Sequence, residues 1–302
     1  MESQVVIKKI LIPLDFSETS MLALEHATNL AKIEDSKVIL IHVLKSGSYS
    51  NILPSITGEG VGVVLRDEIS SKMNEIGNKF KAETGVDYEI VLAEGNVASQ
   101  VVDTAHELEV DLIMMGTHGV SGFQEFFMGS NAYRVFTAAM CPVLTVQSHA
   151  KSLGAKKIML PLDSSPHTRD KVRYAVAMAK AFDSEILIRA LITPNHEEEK
   201  NIFNLKVQQT EEHLANHGVK YSSDFIYGDD IAEMTLEEAK KEKADLIIIM
   251  TEQEASTGLF IGQYAQRIVN HSRIPVLGIT PLGIVQSFSQ RNLGGDYRPF
   301  GL

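Results

Sequence analysis

The chain repeats itself. Lys8-Lys-Ile-Leu-Ile-Pro-Leu-Asp15-Phe-Ser17 returns as Lys156-Lys-Ile-Met-Leu-Pro-Leu-Asp163-Ser-Ser165, and Val38-Ile-Leu-Ile-His-Val43 returns as Glu185-Ile-Leu-Ile-Arg-Ala190. Asp111-Leu-Ile-Met-Met and Cys141-Pro-Val-Leu-Thr-Val146 return as Asp245-Leu-Ile-Ile-Ile and Ile274-Pro-Val-Leu-Gly-Ile279. Four segments recurring in one order make a duplication, so whatever one copy folds into, the chain folds into twice. The offset falls from 148 residues at the first Asp to 134 at the third segment, leaving the second copy 14 residues shorter in between.

The recurring segments are short, nearly continuous β-branched runs, the pattern of strands buried on both faces. Between them lie stretches with helical period. Ser17 to about Lys32 opens with capping chemistry and spaces Leu22, Leu24, Ala27, Leu30 and Ala31 as a helix does. Segments around 63–83, 97–108 and 130–138 follow suit. The alternation predicts two tandem, doubly wound α/β domains, each with a five-stranded parallel sheet and helices on both faces. The second copy places its strands near 157–162, 185–191, 220–226, 244–250 and 275–280. The expected boundaries are 1–147 for the first domain, 148–155 for a polar linker, 156–281 for the second domain, and 282–302 for a tail outside both repeats. Each fifth strand, Val143 to Val146 and Val276 to Ile279, is an apolar edge that needs covering, so the two are expected to pair antiparallel across a pseudo-twofold axis.

Charge narrows the function. Residues 1–150 carry 10 Lys and Arg against 19 Asp and Glu, a net −9, and the remainder 18 against 20, a net −2. Neither half has the basic footprint of a nucleic-acid binder. No apolar run reaches the ~18–20 residues of a membrane span, and the first residues do not read as a signal peptide. The one cysteine, Cys141, excludes an internal disulfide framework and a multi-cysteine zinc site, and fits a reducing cytoplasm. No histidine pair has metal-ligand spacing.

Ligands of an open parallel sheet bind at the carboxyl ends of its strands. There the sequence puts Asp15, Val43 and the segment Gly116-Thr-His-Gly119, followed after nine residues by Gly129-Ser130-Asn131 opening a helix. Glycines allow close backbone approach, and Ser130 and Asn131 are N-cap types whose first-turn amides face outward. That is a phosphate site without lysine, or else a long loop before an ordinary capped helix.

With these landmarks in register, the chain resembles the universal stress protein family over about 280 residues, as two tandem copies. The resemblance implies a Rossmann-like fold of the adenine nucleotide alpha hydrolase type. It also implies ATP or a related adenine nucleotide (ADP or AMP) in the copy that keeps the glycine motif. Carried over, it places Asp15 beside the adenosine, Val43 against the adenine edge, and Gly116, Gly119, Gly129 and Ser130 around ribose and phosphates. Pro13, Leu14, Thr117, His118 and Asn131 are lining positions. Mg²⁺ is expected through phosphate oxygens and water, with no protein metal ligands. The second copy has Met250 and Gln253 at two glycine positions, where their side chains are expected to fill phosphate space, and Gln263 in place of Ser130; it is expected to be dead, with Asp163 read as a helix cap.

Three functions compete: a cytoplasmic stress-response adaptor presenting a surface to an unidentified protein partner, a slow ATPase or phosphotransferase, and a nucleotide-free dimeric scaffold. No catalytic residue is assigned, because the motif has neither a Walker lysine nor an arginine. His42 and His118 read as structural or ligand-lining, Gly58-Glu-Gly-Val-Gly62 as a false fingerprint in a loop, and Cys141 as an inert thiol. Glu197-Glu-Glu199 is expected to begin a helix, and the tail to be a partner or inter-subunit segment or a loose terminus. A homodimer is left open.

Overall fold

The computed structural model describes residues 5–44, 59–117, 128–147, 154–251 and 262–281. The first half runs β1 (Lys9–Pro13), α1 (Glu18–Glu34), β2 (Lys37–Leu44), α2 (Glu59–Thr84), β3 (Tyr88–Glu94), α3 (Val97–Glu107), β4 (Leu112–Gly116), α4 (Ser130–Ala138), β5 (Val143–Val146). The second runs β6 (Lys157–Leu162), α5 (Val172–Phe182), β7 (Glu185–Ile192), α6 (Lys200–Asn216), β8 (Lys220–Tyr227), α7 (Ile231–Glu242), β9 (Leu246–Met250), α8 (Gln263–His271), β10 (Val276–Ile279). Two expectations shift. The acidic run ends a 3-10 turn, Pro194–Glu199, before α6. Gly60 and Gly62 lie in the first turn of α2 and not in a loop.

The halves share one ten-stranded sheet, ordered β3-β2-β1-β4-β5-β10-β9-β6-β7-β8. Pairing is parallel within each half and antiparallel at the junction, where Val276 faces Thr145, Leu277 faces Leu144 and Gly278 faces Val143. Neither fifth strand is therefore an edge. Successive strand residues feed opposite faces: Ile10, Ile12, Met114 and Leu144 lie in the layer under α1, while Leu11, Ile113 and Val143 lie in the layer holding Val101, Val135 and Phe136. Each layer continues through both halves, so each is a single core.

The repeated polar residues now have a cause. Asp111 accepts the backbone N–H groups of Lys8 and Lys9 at 2.7 and 2.9 Å, and Asp245 does the same for Lys156 and Lys157 at 2.8 and 3.0 Å. Lys8 and Lys156 reach helix-end carbonyls at Glu34 and Phe182, and Lys9 and Lys157 reach Leu108 and Glu242. An ammonium at a helix C-terminus meets unsatisfied carbonyls and the negative end of the dipole. These residues tie the amino ends of the parallel strands in each half of the sheet, leaving the carboxyl ends of the first half to the candidate site.

Candidate functional site

The carboxyl ends of β2, β1 and β4 lie side by side, because β1 pairs with both neighbours. This brings together Pro13, Val43 and Gly116, with Asp15 exposed just beyond β1. One Asp15 oxygen accepts from the Ser17 N–H at 3.0 Å and from its hydroxyl at 2.5 Å, while Ser17 caps α1 by accepting from the Ser20 N–H. Phe16 between them has φ 64°, the left-handed region that bulky residues avoid. What holds it there is a stack. Its ring lies 4.7 Å from the His42 imidazole, with the Lys72 ammonium 4.1 Å from its centroid. His42 Nδ1 donates to the Leu14 carbonyl at 2.6 Å, so the histidine fixes the end of β1.

Across from this turn, the start of α4 is tied to β4. The Thr117 N–H donates to the Val146 carbonyl at 3.0 Å, and the Gly129 N–H donates to Thr117 at 2.7 Å. The N-cap of α4 is Gly129, with no side-chain cap; Ser130 and Asn131 are the first helical residues, correcting their reading as caps. First-turn amides that the cap residue does not cover are donors of the kind an anion needs. Leu14 and Thr117 are buried and support the site from beneath, while Ser130 is exposed and Asn131 half-buried. Gly116 also needs a second reading. A Cβ there falls 2.8 Å from the backbone carbon and side chain of Thr19, so the glycine admits the first turn of α1 against β4. His118 and Gly119 lie outside the described residues.

The sequence pattern of the universal stress protein family matches residues 7–147 and again residues 154–279. The chain belongs to the universal stress protein family. A universal stress protein of Methanocaldococcus jannaschii is 35% identical over 144 residues, 48% of this chain and 84% of that one. The universal stress protein YxiE of Bacillus subtilis is 33% identical over 147 residues, 46% of this chain and 98% of that one. The crystal structure of a universal stress protein from Archaeoglobus fulgidus shares the fold, with a TM-score of 0.74 at 18% identity, over 90% of this chain and 98% of that one.

In this tandem universal stress protein the second half keeps part of the arrangement. Thr251 donates its N–H to Ile279, and Gly262 donates to Thr251 and caps α8 without a side chain. The turn after β6 is different. Met250 is buried in the core layer under α5 and not in ligand space, correcting the expectation from its position. α5 starts only at Val172, where the first half has its helix from Glu18. Asp163 therefore caps no helix. It accepts from the Ser165 N–H at 2.9 Å and lies near the fully buried ammonium of Lys171, which donates to Thr168 at 3.4 Å. Burial opposes its ionisation, but Lys171 and the bonds from Ser165 and Thr168 hold the carboxyl below the usual range. Lys206 donates to the carbonyls of Asp163, Ser164 and Ser165 at 3.0, 2.8 and 2.9 Å. Gln253 lies outside the described residues.

Burial around Cys141 pushes its thiol up to about 12, the chemistry of an inert sulfur. Among the described residues no helix is long and apolar enough to cross a membrane, and no cluster of His, Cys, Asp and Glu is placed to hold a metal. Sequence reasoning missed Phe16, Thr19 and Lys72. Each acts through a contact between distant segments, which no local pattern in the sequence signals.

Proposed function

We propose that the first half binds an adenine nucleotide, ATP or a close relative, over the carboxyl ends of β2, β1 and β4. Occupancy then sets the surface offered to a protein partner in a stress response. Asp15 and Val43 take the adenosine end, and the start of α4 takes the phosphates, with Mg²⁺ held through phosphate oxygens. The observation that carries this is the start of α4, headed by Gly129 and fastened to the end of β4 through Thr117, standing beside an exposed Asp15 at the end of β1; the second half keeps the first feature at Gly262 but buries the matching Asp163. The residues fit the group: bare amides supply the phosphate donors that the loop lacks in lysine and arginine. The second half binds none, because Asp163, at the position of Asp15, is buried beside the Lys171 ammonium and does not face a ligand as the exposed Asp15 can.

Calorimetric titration of nucleotide-stripped protein with Mg-ATP tests this. One site per chain is expected, lost in Gly129→Val and kept in Gly262→Val. Two sites per chain, or the reverse pattern of losses, overturns it.

A further inference from the structure

We propose that the second half takes part in the first half's site through Asn270, a positioning residue for the phosphate end. This rests on the nucleotide assignment above and concerns which residues fix its geometry. Asn270 lies in the last turn of α8, and its Oδ1 accepts the backbone N–H of Met128 at 2.9 Å. Met128 immediately precedes Gly129, the cap of α4. The returning end of the motif is thus fastened twice: Gly129 to Thr117 inside the first half, and Met128 to Asn270 from the second.

The contact has a chemical logic. Fixing the peptide one residue before the cap fixes where the chain enters α4. Holding it on a side chain of a packed helix orients the first turn of α4 before any ligand arrives, which lowers the ordering cost on binding. The anchor is rigid, since Tyr264, Ala265, Ile268 and Val269 of α8 are buried in the layer that also contains Val135 and Phe136 of α4. At the matching point of α4 stands Thr137, whose hydroxyl donates to the Tyr133 carbonyl of its own helix at 2.6 Å; Ile261, the counterpart of Met128, lies outside the described residues.

The test compares full-length wild type, Asn270→Ala and Thr280→Val. The last removes a different cross-half bond, from the Thr280 hydroxyl to the Ala139 carbonyl at 2.9 Å, at the far end of α4. Mg-ATP affinity is measured by calorimetry, with thermal midpoints of the stripped proteins alongside and amide exchange at Met128. Asn270→Ala should weaken Mg-ATP about three- to tenfold, the worth of one hydrogen bond. It should also speed exchange at Met128, while Thr280→Val shows wild-type affinity even if its midpoint falls as far. Asn270→Leu, similar in size but without the acceptor, serves if the alanine variant folds poorly. Unchanged affinity in Asn270→Ala, or equal losses in both variants, overturns the proposal. A wild type that binds no nucleotide removes the assignment of the first half, and this proposal with it. Wild-type binding with an indifferent Asn270 removes this proposal alone.

Discussion

Two glycines of one motif do different work. At Gly116 an added Cβ meets the Thr19 backbone at 2.8 Å, so Gly116→Ala must push the first turn of α1 off β4. A loss of about 1–3 kcal/mol is expected in urea unfolding, and nucleotide binding should suffer with it. Gly129 has φ −58° and ψ 147°, angles open to any residue, and among the described residues an added Cβ meets the Thr117 carbonyl, at 3.3 Å. Gly129→Ala should therefore change stability by less than about 1 kcal/mol. Gly129→Val should lower Mg-ATP affinity at least about tenfold, which calorimetry reads against an unchanged unfolding curve. The spacing of these glycines was plain in the sequence and their division of labour was not. The partner of Gly116 is a threonine far back along the chain, and nothing local to the motif names it. The same holds for His42, whose bond to Leu14 depends on β2 lying beside β1.

Among the elements, the strands were the legible part, because unbroken β-branched runs between capped helical stretches admit few other folds. α1 was legible too, from Ser17 onward. Its counterpart was not: Ser165 stands where Ser17 does, yet α5 begins at Val172. With Met250 in the core where the first half has a glycine against Thr19, residues 164–171 form turns, and Lys171 is buried among them. That has a pH signature. Burial, opposed by Asp163, pushes Lys171 down to about 8 from 10.5. Below pH 8 the ammonium is charged in folded and unfolded chains alike, and the burial penalty is present in full. Between about pH 8 and 10.5 the unfolded chain holds a proton the folded chain has released, so stability rises with pH. Relative to Lys171→Met, the wild type should gain on the order of 3 kcal/mol across that window, measured by urea unfolding at pH 7.5 and 10.5.

At the scale of the molecule, everything depends on the β5–β10 seam. The fully buried Phe136 ring of the first half rests on Gly278 of the second, where a Cβ would fall 2.2 Å from a ring carbon. Gly278→Val should cost roughly 3 kcal/mol or more and expose two apolar edges, seen as a lower thermal midpoint and as association in size-exclusion chromatography. That a seam was needed followed from the sequence, since two apolar edges cannot both face water. Its register did not, nor did the bond from Asn270 to Met128, because both depend on how far one half slides along the other. The seam also bears on what mutation can explore. In a symmetric pair of separate chains, each amino-acid change is made at both sites at once. A glycine replaced by methionine then removes both sites together. Joined end to end, the halves mutate one at a time, so Met250 and Lys171 could settle in one without touching Gly116 and Ala23, their counterparts in the other (Ala23 lies 148 residues before Lys171).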